Sequence, residues 1–308
     1  MRTAYISHPA CYNHDTGPGH PENARRLYAI DDKLVSTQLI DFLRQYDAPE
    51  VTREQLLRVH EAAYLAELEA RIPEEGHLFL DPDTVICPDS LKAAKRAAGA
   101  VVLAVDLLMR GEKQNAFCSV RPPGHHAEPT KALGFCLFNN IAVGAAHALA
   151  VHGLQRIAIL DFDVHQGNGT ELMFMDDERV LFCSTFQHPF YPFTPVPDLT
   201  ERMVCIPLPA TAKSEQFRTA VTDYWLPAVE RFRPEMIFVS AGYDAHQDDD
   251  MSGISLNDAD FRWMTEQILR LAEASAAGRI VSVLEGGYEY DSLARCVETH
   301  IRMLMGLR

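Results

Sequence analysis

The sequence predicts an α/β protein built on a mostly parallel central sheet with helices on both faces. Short apolar runs of strand length alternate with longer helical stretches along the chain. Of the 308 residues, 47% are apolar, which is enough for a substantial core. No linker, low-complexity tract or internal repeat interrupts the pattern. We therefore expect residues 1–308 to form a single domain.

The strands are predicted from six short apolar runs. Two of them, Ile157-Ala-Ile-Leu160 and Met236-Ile-Phe-Val-Ser240, are typical of buried parallel strands. The order of the strands in the sheet does not follow from the sequence. The six predicted strands are residues 3–7, 116–120, 156–161, 180–185, 236–240 and 280–284.

The helices are predicted from longer stretches with helical spacing and recognisable ends. The last of them begins at Asn257, a residue type that caps helices, and stops before Gly278. The predicted helices cover residues 91–109, 138–151, 214–232 and 257–276.

Charge and cysteine content argue against several classes of protein. The chain has 28 Lys and Arg against 43 Asp and Glu, a formal net charge of −15, which disfavours nucleic acid and is compatible with a cationic substrate. No apolar run reaches the roughly 18–20 residues that span a bilayer, and the N-terminus does not resemble a signal peptide. The seven cysteines are scattered without a CxxC pair. We expect a cytoplasmic protein with no membrane association.

Metal-ligand residue types follow two of the predicted strands. Asp161-Phe-Asp163-Val-His165 follows the third strand, and Ala241-Gly-Tyr-Asp244 follows the fifth. In open α/β sheets, functional residues collect at the carboxyl ends of the strands. Asp163, His165 and Asp244 offer three ligands and leave one coordination position open, as in a catalytic zinc site. The sequence therefore predicts a metal-dependent hydrolase with its active site at this edge of the sheet.

Two more predicted strands end in reactive residue types. Arg121-Pro-Pro-Gly-His125-His126 follows the second strand, and Glu285-Gly-Gly-Tyr288 follows the sixth. Taken alone, the histidine pair is as compatible with the surface as with a site, and the glycine segment with a simple turn. Four such strand exits at one sheet edge favour a catalytic site.

The motifs at these strand exits closely resemble the zinc-dependent histone deacetylase family. The likeness is to its class II-like bacterial branch, which includes acetylpolyamine amidohydrolases, and it implies the arginase/deacetylase fold. It extends from His20-Pro-Glu22 to Tyr288 in family order. The motifs that carry it are Arg121-Pro-Pro-Gly-His-His126, Gly134-Phe-Cys136, Asn139-Asn140, Asp161-Phe-Asp-Val-His-Gln-Gly-Asn-Gly169, Ser240-Ala-Gly-Tyr-Asp244 and Leu284-Glu-Gly-Gly-Tyr288.

The resemblance implies which residues bind metals. Zn²⁺ would be held by Asp163, His165 and Asp244, although a site with one histidine and two aspartates also accepts Fe²⁺ or Co²⁺. The family also binds a structural monovalent cation, K⁺ or Na⁺. Its implied ligand positions are Asp161, Asp163, His165, Ser184 and Thr185.

The resemblance also implies the catalytic residues. His126 would be the general base, and His125 its electrostatic partner, oriented by Asp161. Tyr288 would donate a hydrogen bond to the developing oxyanion. The partner of His126 would be Asn168, whose neutral amide stabilises an imidazolium less than a carboxylate would.

The substrate is expected to enter through an aromatic tunnel. Relatives have a Gly-Thr-Gly turn where this chain has Phe193-Thr-Pro, so we expect a different path for the rim loop. We expect His246 and residues 248–250 to form a solvated acidic loop. The implied tunnel residues are Gly134, Phe135, Phe190, Tyr191 and, at the rim, Asp83; Arg26 would line an exit channel for acetate.

The expected reaction is hydrolysis of an N-acetyl or N-acyl amide on a lysine side chain or a polyamine. The partner would be a small-molecule or peptide acyl-amine, and a homo-oligomer is compatible with the sequence. One alternative is an arginase-like hydrolase with two metal ions. Another is a protein that binds acylated ligands without turnover, although retention of every catalytic residue type argues against it.

Overall fold

The computed structural model describes residues 2–307, which are organised around an eight-stranded parallel sheet. A separate antiparallel hairpin contains two of the ten strands. The strands are β1 (Thr3–Ser7), β2 (Arg44–Asp47), β3 (Leu78–Phe79), β4 (Val85–Ile86), β5 (Asn115–Cys118), β6 (Ile157–Asp161), β7 (Val180–Gln187), β8 (Met203–Leu208), β9 (Met236–Ala241) and β10 (Ile280–Leu284). The order in the large sheet is β2-β1-β5-β10-β9-β6-β7-β8, and the hairpin is β3-β4.

Helices flank the sheet and cover it. Every residue of β5, β6, β9 and β10 is buried, so both faces of the sheet centre are packed. The helices are α1 (Arg25–Ser36), α2 (Arg53–Leu56), α3 (Ala62–Arg71), α4 (Ser90–Met109), α5 (Asn140–Val151), α6 (Asn168–Phe174), α7 (Ser214–Ala220), α8 (Leu226–Phe232), α9 (Asp258–Ser275) and α10 (Tyr290–Leu304). No helix within residues 2–307 is long and apolar enough to cross a membrane.

The predicted fold class is confirmed, and all six predicted strands are present. The predicted helix 214–232 is helical throughout, because the π-helical turn Val221–Trp225 joins α7 to α8. Asn257 caps α9 as predicted: its side chain accepts a hydrogen bond from the N–H of Ala259. The edge strand β2 was missed because its residues are polar and mostly exposed, which leaves no apolar pattern.

The strand order determines where the candidate site lies. β5, β10, β9 and β6 are consecutive neighbours, and all are parallel. Their carboxyl ends therefore meet at one edge, and the four strand exits with reactive residue types lie side by side.

Candidate active site

Three ligand-type side chains converge at the carboxyl ends of β6 and β9. Nδ1 of His165 lies 3.1 Å from Oδ1 of Asp163 and 3.1 Å from Oδ2 of Asp244. Ligands about 2.0–2.1 Å from a tetrahedral zinc ion lie about 3.3 Å from one another. The donor atoms of the three predicted ligands thus have the spacing of a metal site.

The charge of this region also fits a divalent cation. Asp161, Asp163, Asp244 and Glu285 are all fully buried close together. Burial raises the pKa of Asp244 to about 7, and the charge of Asp163 contributes to the rise. Crowded buried carboxylates are unfavourable unless a cation compensates them. A Zn²⁺ ion held by the three donors would provide that compensation.

The exit of β10 packs directly against the predicted ligands Asp163 and Asp244 through its backbone. The N–H of Gly286 donates to Oδ2 of Asp163 at 2.8 Å. A Cβ on Gly286 would collide with carboxylate oxygens of both Asp163 and Asp244. Only glycine allows this close approach, so the glycine is needed for packing against the ligands.

The two histidines after β5 are buried and held by different partners. His125 and His126 are 2% and 4% exposed, which excludes the surface interpretation. Nδ1 of His125 lies 3.0 Å from Oδ2 of Asp161, and Nδ1 of His126 lies 2.8 Å from Oδ1 of Asn168. Each imidazole therefore faces the partner that the resemblance implies.

The pKa values of the two imidazoles are shifted in opposite directions. Burial alone would lower the pKa of His125, but the charges of Asp163 and Asp161 outweigh it and raise the pKa to about 10. Burial lowers the pKa of His126 well below its usual value, and the nearby His125 and His165 lower it further. The carboxylates around His125 therefore favour its charged form, and burial favours the neutral form of His126.

Tyr288 lies above Arg26 at the exit of β10. The guanidinium carbon of Arg26 is 4.9 Å from the centroid of the Tyr288 ring. Arg26 is fully buried; it donates to the carbonyl oxygens of Gly287, at 2.6 Å, and of Glu285, and it pairs with Glu22 at 3.3 Å. It supports the tyrosine loop. Burial raises the pKa of Tyr288 well above its usual value, against the effect of Arg26, so the phenol keeps its proton.

A cavity of about 180 Å³ connects these groups to the surface. Phe190 stacks on His165 with 5.4 Å between ring centroids. The ring of Tyr191 meets His126 edge-on at 5.2 Å. The cavity is lined by all five predicted tunnel residues and also by three residues that were not predicted. The predicted ones are Gly134, Phe135, Phe190, Tyr191 and Asp83, and the others are Pro123, Met251 and Gly286.

In the rim turn, a residue other than glycine adopts the left-handed backbone conformation. Phe193 has a φ of 61°, and its side chain is 77% exposed. Glycine adopts this backbone conformation most readily. The turn therefore places a residue other than glycine in the left-handed region and an exposed aromatic ring at the surface.

The expectation of a solvated acidic loop after Asp244 is wrong for Asp249. Asp249 is 5% exposed, and its Oδ2 accepts hydrogen bonds from the N–H groups of Tyr288 at 2.6 Å and Glu289 at 3.0 Å. The loop that carries Asp244 thus also holds the loop that carries Tyr288. The sequence does not distinguish Asp249 from Asp248 and Asp250, which are exposed. Only the tertiary structure therefore reveals this role.

Glu285 is a second residue that the sequence did not single out. Its Oε2 accepts hydrogen bonds from the N–H groups of Gly124 at 2.7 Å and His125 at 3.1 Å. Its Oε1 accepts one from the hydroxyl of Ser240 at 3.2 Å. The carboxylate therefore ties together the exits of β5, β9 and β10. The sequence feature that could have identified Glu285 was its position in the motif that ends at Tyr288.

Another group of ligand-type side chains lies between α4 and α5. Nε2 of His147 and Nε2 of His152 lie 2.9 and 2.7 Å from Oδ1 of Asp106. Arg58 donates to Nδ1 of His147 at 3.0 Å, so in neutral His147 the proton is on Nε2. That nitrogen is then a hydrogen-bond donor and is not free to bind a metal.

A third group of ligand-type side chains, His246, Asp258 and Cys296, is also unsuited to a metal. Its structure corrects the expectation that His246 belongs to a solvated loop. This residue is buried, and its Nδ1 accepts a hydrogen bond from the N–H of Asp248 at 3.1 Å. Its Nε2 therefore carries the proton and donates to Asp258 at 3.1 Å. Of the ligand-type groups within residues 2–307, the triad at β6 and β9 is the one suited to a metal.

Comparison with known proteins identifies the family. The model of the histone deacetylase domain matches residues 20–304. The chain is 36% identical to the histone deacetylase-like amidohydrolase of Pseudomonas aeruginosa, over 100% of this chain and 87% of that protein. It is 35% identical to a probable deacetylase of Archaeoglobus fulgidus, over 94% of this chain and 82% of that protein.

Longer relatives and a solved structure agree with these matches. The chain is 34% identical to type-2 histone deacetylase 2 of Dictyostelium discoideum, over 99% of this chain but only 21% of that protein. The crystal structure of the HDA15 HD domain superimposes with a TM-score of 0.91 at 30% identity, covering 99% of this chain and 90% of that one. This chain belongs to the histone deacetylase domain family.

Proposed function

We propose that this chain hydrolyses an N-acetyl or N-acyl amide on a lysine side chain or a polyamine, with Zn²⁺ as its metal. Membership of the family supports hydrolysis of acetyl amides in general. The observation that carries the finer proposal is that one cavity of about 180 Å³ is lined by His126, Tyr288 and the ligand His165. A neutral base, a phenol donor and a metal ligand thus face one volume.

Each group has a defined part in this reaction. Asp163, His165 and Asp244 would hold Zn²⁺, which would supply Lewis-acid chemistry by lowering the pKa of a water molecule and polarising the acyl carbonyl. His126 accepts the proton of that water as the new C–O bond forms, and Tyr288 donates a hydrogen bond to the developing oxyanion. When the C–N bond breaks, His126 returns the proton to the nitrogen of the leaving amine. The products are a carboxylic acid and an amine, and transfer of the acid proton to the amine in water gives a carboxylate and an ammonium ion.

The arrangement supports one catalytic metal in preference to two. His125 and His126 lie near the triad, but their Nδ1 atoms are occupied by Asp161 and Asn168. Among residues 2–307, the ligand-type group at this edge of the sheet consists of Asp163, His165 and Asp244, a set for one metal ion.

A structural monovalent cation near β6 and β7 remains part of the proposal. Oγ of Ser184 is buried without a hydrogen-bond partner among the described residues. Ser184 lies opposite Asp161 in the register of β6 and β7. An unpaired buried oxygen beside a carboxylate supports K⁺ or Na⁺ at this position.

The charge at the cavity supports a cationic substrate. Asp83 is the carboxylate among the residues that line the cavity, through which the substrate would enter. Burial raises the pKa of Asp83 to about 6, with a contribution from Asp81, and a substrate ammonium group would favour its charged form. The exit of acetate past Arg26, a cytoplasmic location and the oligomeric state remain predictions.

The test of the proposed function is hydrolysis of a fluorogenic acetyl-lysine substrate before and after treatment with a chelator. We expect turnover to fall with the metal content and to return when Zn²⁺ is added. A matched panel of acetyl-lysine peptides, acetylputrescine, acetylcadaverine and longer acyl-lysines then ranks substrates by kcat/KM. Full turnover by protein that is shown to be free of metal would exclude the mechanism.

Asp249 provides a prediction about the tyrosine loop. Asp249→Ala leaves the N–H groups of Tyr288 and Glu289 without their acceptor, so we expect kcat to fall about 10- to 100-fold. The free energy of unfolding should fall by about 1–3 kcal/mol. Steady-state kinetics and chemical denaturation measure the two effects. Asp250→Ala, at an exposed neighbouring carboxylate, is the control; a kcat within twofold of wild type for Asp249→Ala would contradict the assigned role.

A further inference from the structure

A carboxylate lies two hydrogen bonds away from the proposed base, His126. Nδ2 of Asn168 donates to Oε1 of Glu128 at 2.8 Å, and Oδ1 of Asn168 lies 2.8 Å from Nδ1 of His126. An ionised carboxylate only accepts hydrogen bonds, so Glu128 must face the amide nitrogen of Asn168. The amide oxygen then faces His126, and Nδ1 of His126 must carry the proton. The other nitrogen, Nε2, is left with a free lone pair.

We propose that Glu128 is a positioning residue for His126 and acts through Asn168. It holds the amide in the one orientation that keeps His126 in the Nδ1–H tautomer, whose Nε2 can accept a proton. This inference rests on the proposed function, in which His126 is the general base.

Glu128 is itself held in place by its surroundings. Its side chain is 14% exposed, and Oε2 lies 3.4 Å from Nζ of Lys131. Its backbone N–H donates to the carbonyl of Lys131 at 3.0 Å, and its carbonyl lies 3.0 Å from Nδ1 of His60. Nε2 of His60 accepts a hydrogen bond from the N–H of Asn139, so Nδ1 of His60 is the donor to Glu128. Both the backbone and the carboxylate of Glu128 are therefore fixed.

The amide of Asn168 needs this constraint because water can reach it. Asn168 and Glu128 both line a cavity of about 760 Å³ that shares no lining residue with the tunnel. Without Glu128, water could hydrogen-bond to either end of the amide, and its two orientations would differ little in energy. The flipped amide would present its NH₂ group to His126. Nδ1 would then have to accept, and the proton would move to Nε2, where it blocks the base.

The first experiment is a mutant cycle in kcat on an acetyl-lysine substrate. We expect Glu128→Ala to lower kcat about 10-fold or more with little change in KM, because the metal and the tunnel are untouched. Glu128→Gln retains an oxygen that can accept from Asn168, so it should recover most of the lost activity. Lys131→Ala, which removes an exposed partner of the same carboxylate, should stay within twofold of wild type.

The cycle separates this role from general stabilisation. In an Asn168→Ala background, Glu128→Ala should have no further effect on kcat, because the residue through which it acts is gone. Independent, multiplicative losses in the double variant, or a Gln variant as impaired as the Ala variant, would overturn the proposal.

A second experiment does not depend on turnover. ¹⁵N chemical shifts of the histidine rings, assigned by comparison with His126→Ala, should show Nδ1 of His126 protonated in the wild type. In Glu128→Ala they should shift towards the Nε2–H form. A wild type that carries the proton on Nε2, or an unchanged tautomer in Glu128→Ala, would overturn the proposal. Failure of the proposed function would appear separately, as a wild type with the expected tautomer and no hydrolysis of any acetyl amide.

Discussion

Asp244→Asn should abolish both metal binding and turnover. The amide retains an oxygen that can accept from the N–H of Val164, so the fold around β9 should persist. The substitution removes one of the two anionic ligands, and an amide is a poor ligand for zinc. Because the metal provides several kcal/mol of transition-state stabilisation, a loss of about 4 kcal/mol corresponds to about 10³-fold in kcat/KM. Metal content by elemental analysis and kcat/KM on acetyl-lysine measure the two effects.

The control for this variant lies on the same loop. Asp248 is 47% exposed and pairs with Arg295 at the surface, so Asp248→Asn should change neither metal content nor turnover appreciably. Metal removal should also have an effect that does not require activity. Zn²⁺ should raise the melting temperature of the wild type and should do so much less for Asp244→Asn, because the ion compensates buried carboxylates. A variant that binds Zn²⁺ as tightly as wild type would rule out Asp244 as a ligand.

Tyr288→Phe should lower kcat by about 10²–10³-fold, the usual effect of losing one oxyanion donor. The substitution removes only the hydroxyl and keeps the ring above Arg26 and beside Phe135. Metal content and KM should therefore change little, because the donor acts on charge that develops in the transition state. Steady-state kinetics and elemental analysis provide the measurement.

Tyr290→Phe is the matched control for Tyr288→Phe. Tyr290 is the first residue of α10, and its hydroxyl hydrogen-bonds to Asn23. Tyr290 does not line the tunnel. We expect wild-type kcat for this variant. If Tyr288→Phe turned over as fast as Tyr290→Phe, Tyr288 would not be the oxyanion donor and the metal would have to stabilise the oxyanion without it.

Much of the fold could be predicted because its signals are local. The buried strands are apolar runs bounded by polar residues, and Asn257 caps α9 with a side-chain contact only two residues away. Two of the missed elements, β2 and α6, lack such signals. β2 is a polar edge strand, and α6 begins inside the Gly-rich segment at Asn168, where the sequence pattern indicates only a turn.

The site residues divide in the same way. Asp163, His165 and Asp244 directly follow apolar strands, so parallel pairing alone brings them to one edge of the sheet. Asp249 is different. It lies between two exposed aspartates, and nothing in its neighbourhood distinguishes it from a solvated turn residue. Its role depends on two N–H groups that are 39 and 40 residues away in the chain.

The sequence by itself determined the fold class, the ligand types and the residues that follow each strand, because strand pattern and residue chemistry are local properties. Tertiary structure decided the strand order that makes β5, β10, β9 and β6 neighbours. It also decided which buried carboxylates support the site. Asp249, Glu285 and Glu128 act on groups that are distant in sequence, and a carboxylate acquires such a role only from the particular N–H groups that folding places against it.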